Sequence, residues 1–186
     1  MPRTIALLLI GVCITSLGLP ARPVDAIALR NQYIKQIKQL SNTRYHWGGE
    51  AAHGIDCSGL PRLALQQAMI LQGLKTLNGG LMRRPIFHWW FDAAADALAN
   101  GYQNHAVPLN LEGDIHTMDY SKLELGDFAV TSDGVHLLVY LSGEEWIQAD
   151  PGLGKVVILN GRTDPNQWFH TLVTLHRWTV FDDISF

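Results

Sequence analysis

The chain changes texture near its middle, and that change restricts its fold more than any other feature. In the first hundred residues, apolar side chains recur at helical spacing. Residues 28–40 carry Leu29, Tyr33, Ile37 and Leu40 near one face, residues 58–74 are strongly apolar, and residues 89–100 run into Gly101, a residue suited to the position just after a helix. From Asp127 onward the apolar runs are short and rich in β-branched or aromatic residues: 127–131, 136–141, 146–149, 156–159 and 172–180. Ser132-Asp133-Gly134, Ser142-Gly143, Asp150-Pro151-Gly152 and Asn160-Gly161 separate them as turn signals. Helices first and a meander of strands after predict an α+β fold, with N-terminal helices packed on a C-terminal antiparallel sheet.

A length of 186 residues suits one such domain, and a hydrophobic fraction of 47% excludes a disordered chain. A net charge of −3 gives no electrostatic footprint for nucleic acid or an anionic membrane surface. Two cysteines exclude a disulfide-rich scaffold and a four-thiolate zinc site. Such a domain is suited to holding a small or medium-sized ligand in a cleft.

The first residues read differently from the rest. Arg3 supplies a positive start, residues 5–19 are mostly apolar, Pro20 breaks the run, and Val24-Asp25-Ala26 offers small residues at the −3 and −1 positions of a cleavage site. This is the layout of a secretory signal peptide over residues 1–26, leaving residues 27–186 as one catalytic domain. The run is shorter than the ~20 apolar residues that span a bilayer, so no stable membrane anchor is expected after cleavage. The protein is expected in the periplasm or outside the cell. Cleavage removes two bases (Arg3, Arg22) and one acid (Asp25), shifting the net charge from −3 to −4. It also removes Cys13, which leaves Cys57 as the only thiol. In an oxidising compartment an unpaired cysteine is either buried and inert or kept free for chemistry.

Gly54-Ile55-Asp56-Cys57-Ser58-Gly59 joins a loop to the apolar helix, which puts Cys57 at that helix's N-terminus. Backbone N–H groups and the dipole there are expected to lower the thiol pKa, and the same groups can hold a developing oxyanion. A lone cysteine is also met as a small core residue, but the flanking Asp, Ser and Gly make a purely apolar environment a poorer fit. His136 is the best placed of eight histidines to serve as base, since it begins the run His-Leu-Leu-Val-Tyr and points off one strand face. A third group should orient its ring. Gln148, twelve residues on and returned by the Ser142-Gly143-Glu144 turn, is one candidate, and Asp150 is its rival.

These residues carry a resemblance. Tyr45-His46-Trp47-Gly48-Gly49, followed by Gly54-Ile55-Asp56-Cys57-Ser58-Gly59-Leu60, resembles the first block of the NlpC/P60 cysteine peptidase domain. Leu125-Gly126-Asp127, then Gly134-Val135-His136 and the strand through Tyr140, resembles the second. The likeness covers roughly residues 30–180. It implies a papain-like α+β fold and hydrolysis of peptidoglycan stem peptides, usually at the bond between γ-D-glutamyl and a diamino acid. Carried over by position, Cys57 is the nucleophile, His136 the base and Gln148 the third polar residue. Tyr45 matches the tyrosine near the thiol, and Asp56 and Ser58 match positions that bind the amino end of the stem peptide. Two features depart from the pattern: the third position is often His, and the segment between the cysteine helix and Leu125 is usually short. Here that segment is long and carries His88-Trp89-Trp90-Phe91.

The aromatic segment has two readings, part of the core or a wall of the cleft. No pair of histidines has a metal-ligand spacing such as H-x-x-x-H, so neither metal nor other cofactor is expected. An amidase or acyltransferase on the same scaffold, or a non-catalytic wall-binding module, are the alternatives to a peptidase. The expected partner is peptidoglycan or a muropeptide.

Overall fold

A computed structural model of the chain describes residues 11, 16, 18–91 and 93–182. The apolar run assigned to a signal peptide lies largely outside the described residues. Among the described residues, no helix is long and apolar enough to cross a membrane.

Helix α1 spans Ala26–Gln39 and buries Leu29, Tyr33 and Ile37 on one stripe, as the spacing predicts. Asp25 caps it, its carboxylate accepting from the Ala28 N–H at 2.9 Å, and Val24 is buried just before the cap. Cleavage after Ala26 would therefore remove the cap of α1 and one residue of its core. A short hairpin, β1 (Glu50–Ala51) and β2 (Gly54–Ile55), leads into α2, Gly59–Thr76. This 18-residue helix is buried along most of its N-terminal half.

After α2 come three short helices, α3 (Gly79–Arg83), α4 (Pro85–Trp90) and α5 (Ala95–Ala99), so residues 89–100, expected to form one helix, instead hold the end of α4 and, after a break, α5. Side chains explain the break after Trp90. Arg62 donates to the carbonyls of His88, at 2.5 Å, and Phe91, at 3.0 Å, and the Tyr102 hydroxyl donates to both as well. Carbonyls held this way are not left for the amides of a continuing helix.

Six antiparallel strands follow: β3 (Ala106–Asp114), β4 (Phe128–Thr131), β5 (Leu137–Ser142), β6 (Glu145–Asp150), β7 (Lys155–Asn160) and β8 (Leu172–Trp178). Their order in the sheet is β3-β8-β4-β5-β6-β7. The edge strand β3 was not legible in the sequence. It contains Pro108, and its register slips between Pro108 and Glu112, around Asn110 in the left-handed region at φ 55°. Both features belong to edges and bulges, and both blur the alternation that marks a strand.

The sheet separates two cores. Phe128, Val130, Leu137, Val139, Leu141, Ile147 and Ala149 face the helices, while Ala129, Leu138, Tyr140 and Trp146 face the other way, toward Ile115 and Phe169. By the same alternation, His136 and Gln148 belong to the face away from the helices, whereas Cys57 is packed in the helix-side core.

Candidate active site

The thiol sits in a loop that closes on itself. Asp56 lies just before Cys57, and its Oδ1 accepts from the Gly59 N–H at 2.7 Å and the Ser58 hydroxyl at 3.1 Å, while Oδ2 accepts from the Gly48 N–H at 2.8 Å. One carboxylate thus caps α2 and ties it to the turn after Trp47. The Asp56 N–H donates to the Gly49 carbonyl, which lies so close that a Cβ on Gly59 would be 2.2 Å from it. Only glycine fits that approach. Tyr45 is held by its N–H on the Gly154 carbonyl and by a bridge to Ile55.

Cys57 is a free, buried thiol whose Sγ lies 3.7 Å from the Val135 carbonyl, next in sequence to His136. Burial pushes its pKa up to about 11, with the nearby Asp56 charge adding to the rise; backbone N–H groups of Leu137, Ser58 and Cys57 itself pull the other way and are outweighed. The expectation of a thiol acidified by its helix terminus is therefore reversed: desolvation exceeds the helix effect. Burial likewise raises Tyr45 to about 12, with Cys57, Asp56 and Asp150 as its charged neighbours.

His136 stands just ahead of β5, at the end of a tight turn. Its N–H donates to the Thr131 hydroxyl at 2.9 Å, and its carbonyl accepts the Thr131 N–H at 3.0 Å. The turn is braced from outside, because a Cβ on Gly134 would lie 2.7 Å from the Asp96 Cβ of α5. The imidazole Nε2 is 2.6 Å from Gln148 Oε1, so Nε2–H is the donor and the neutral tautomer leaves Nδ1 as the basic nitrogen. Both residues are buried, and burial lowers the His136 pKa to about 4 against the opposing effects of Gln148, Asp150 and Asp133.

Of the two rivals for orienting the ring, Gln148 makes the bond. The Asp150 carboxylate is engaged elsewhere, by the N–H groups of Gly152 at 2.7 Å and Leu153 at 2.9 Å and by the Asn166 amide at 2.7 Å. A residue absent from the sequence reading completes the group: the Trp168 ring stacks on the imidazole, centroids 4.1 Å apart and planes 20° from parallel.

Beside the thiol loop lies a cavity of about 200 Å³ lined by Trp47, Glu50, Asp56, Ser58, Arg62, Ala93 and Ala94. Its floor includes the buried Arg62, 3.5 Å from Glu50. Ala93 and Ala94 come from the long segment after α2, so that segment walls the cavity. The aromatic residues there divide: His88 is buried, whereas Trp90 is 71% exposed; Trp47, which lines the cavity, is 77% exposed.

No family model matches the sequence, and neither does any curated protein. Solved structures do match. NlpC2 of Trichomonas vaginalis superposes with a TM-score of 0.54 at 18% identity, over 83% of this chain and 49% of that one. NlpC1 of the same organism gives 0.51 at 18% identity, over 80% and 44%. The chain thus spans under half the length of either. A third match, the peptidoglycan hydrolase RipB of Mycobacterium tuberculosis, has a TM-score of 0.48 at 18% identity, over 81% of this chain and 65% of that one. Helices ahead of a six-stranded antiparallel sheet give this chain the α+β fold of the NlpC/P60 domain.

Proposed function

We propose that the protein is an exported cysteine hydrolase of peptidoglycan stem peptides, cleaving between γ-D-glutamyl and a diamino acid. One observation carries the reading: a free thiol just ahead of a helix, 3.7 Å from the Val135 carbonyl that adjoins His136, whose Nε2 is fixed at 2.6 Å by a buried glutamine. Burial disfavours a lone thiolate or a lone imidazolium here, so the two charges are best created together. The Cys57 proton passes to His136 Nδ1 as Sγ attacks the carbonyl carbon of the scissile amide. The Cys57 backbone N–H, just ahead of α2, receives the negative oxygen. The C–N bond breaks, the imidazolium proton goes to the departing amine, and a thioester remains on Cys57. Water then gives a proton to His136 and its oxygen to the thioester, which releases a carboxylic acid and restores the thiol.

Substrate placement follows the cavity beside the loop. Asp56 spends three of its roughly four acceptor positions on the protein. The remaining one, with the Tyr45 hydroxyl and Ser58, is offered to the amino end of a stem peptide. Export is supported by the charge and apolar pattern of residues 1–26. The deciding experiment is digestion of purified muropeptides by wild type and Cys57→Ser, with products identified by mass spectrometry. New free γ-D-glutamyl carboxylates from wild type alone are expected. An intact muropeptide pool, or cleavage by both proteins, overturns the reading.

A further inference from the structure

We propose that Trp168 is a positioning residue for His136, held over the imidazole by an Asp150–Asn166 clasp. The inference rests on the Cys57–His136 reading and adds to it a group from an element that sequence motifs do not reach.

Among the described residues the imidazole has one hydrogen bond, to Gln148, and a single bond leaves a ring free to tilt about it. Stacking on a flat indole removes that freedom. With centroids 4.1 Å apart and planes 20° from parallel, the rings are in face contact, so turning His136 requires pushing Trp168 away. The indole does a second thing that glutamine does not. Gln148 is neutral and places no negative charge on the ring when it becomes imidazolium, whereas an indole face attracts a cation. The charges that act on the ring through space are those of Asp150 on β6 and Asp133 in the preceding turn, and the Cys57 thiol lies against the neighbouring Val135 carbonyl. Trp168 therefore favours the state in which His136 has accepted the thiol proton.

The tryptophan is itself held. It lies in a 3₁₀ turn, Gln167–His170, whose N-cap Asn166 accepts the Trp168 N–H through its side-chain oxygen at 3.1 Å. The Asn166 amide donates to Asp150 Oδ2 at 2.7 Å, and Asp150 Oδ1 is fixed by two backbone N–H groups. Phe169, the next residue, is fully buried in the second core. Asp150, two residues beyond Gln148 on β6, thus reaches the imidazole indirectly. One strand carries both the group that bonds the ring edge and the group that anchors the ring's cover.

The test reads Cys57 alkylation by iodoacetamide against pH in wild type, His136→Ala, Trp168→Leu, Trp168→Phe and Asn166→Ala, so it needs no substrate. His136→Ala is the reference: it should slow alkylation at neutral pH and move the titration upward. A profile unchanged in His136→Ala overturns the Cys57–His136 reading itself, and this inference with it. Trp168→Leu, which keeps apolar bulk without a face, should slow alkylation at pH 7 by about 3- to 10-fold, the size of one cation–π contact, and shift the titration toward that of His136→Ala. Trp168→Phe should restore most of the loss. Asn166→Ala should act in the same direction more weakly, and it serves as the test should Trp168→Leu fail to fold. If His136→Ala shifts the profile while Trp168→Leu, or in its stead Asn166→Ala, lowers only the melting temperature, Trp168 is packing alone and the inference is overturned.

Discussion

The two halves of the candidate centre are built on opposite plans. The thiol half is local: Gly48, Gly49, Asp56, Ser58 and Gly59 lie within twelve residues of one another and close around Cys57 through one carboxylate. The imidazole half is assembled from a distance. His136 takes a backbone bond from Thr131, a ring bond from Gln148 and a stacking partner from Trp168, each on a separate turn or strand. A local loop held by one close approach has few ways to be partly right, whereas an assembled group can lose one support and keep the others. The first half should therefore fail outright when disturbed, and the second should fail by degrees.

The reacting groups themselves set the largest effects. Cys57→Ser and His136→Ala should each keep the fold and lower muropeptide hydrolysis by about 10⁴-fold or more, with little further loss when combined, because such groups act as a unit. Additive losses would separate the two halves chemically and break the comparison at its centre.

Gly59→Ala tests whether the thiol half is all-or-none. Its new methyl would lie 2.2 Å from the Gly49 carbonyl oxygen, and the obstacle is backbone rather than a movable side chain. The expected result is loss of turnover together with about 3 kcal/mol or more of stability in urea unfolding, at the upper end of overpacking costs. A Gly59→Ala enzyme with wild-type turnover would show that the loop is adaptable after all.

Gln148→Ala tests the graded half. It removes the ring bond but neither nucleophile nor base, so turnover should fall by about 10- to 1000-fold, or about 1.4–4 kcal/mol. Gln148→His should retain more activity than Gln148→Ala, since a ring nitrogen can also accept the His136 proton. Asp150→Asn should cost less than Gln148→Ala, because its contact with the imidazole runs through Asn166 and Trp168. The reverse order in steady-state kinetics would return the orienting role to Asp150.

This difference in plan also explains what the sequence could reveal. Asp56, Cys57 and Ser58 were legible because their partners are neighbours, and a short motif records them completely. His136 and Gln148 were legible because a hairpin relates them by a countable spacing. Trp168 had no such signal: residues 161–171 show neither period, and only Asn166 ahead of it hints at a capped turn. The broken helix after Trp90 was hidden for a like reason, since the groups that stop it, Arg62 and Tyr102, lie 26 and 11 residues from the carbonyls they capture. The lowered thiol pKa was misjudged because helix position can be read from sequence and depth of burial cannot.

Burial also makes the halves respond to opposite ends of the pH scale, with the smallest effects expected here. Folding holds His136 at about 4 and His88 at about 3, against ~6.5 when unfolded. Between those values the unfolded chain binds more protons, so stability rises with pH across the window. Going from pH 7.5 to pH 5 should cost about 2 kcal/mol for each histidine. Cys57 works the other way. Its folded pKa of about 11 lies above the ~8.5 of a free thiol, so above pH 8.5 the folded state binds more protons and stability falls as pH rises. At pH 9.5 the loss should be on the order of 1 kcal/mol, before the raised tyrosines begin to contribute. Urea midpoints measured from pH 5 to pH 9.5 should thus form a dome. Cys57→Ser should flatten its alkaline side and leave the acid side unchanged, while His136→Ala should flatten part of the acid side. If Cys57→Ser leaves the alkaline fall intact, the thiol is not held protonated by burial, and the acidifying effect of the α2 terminus prevails after all.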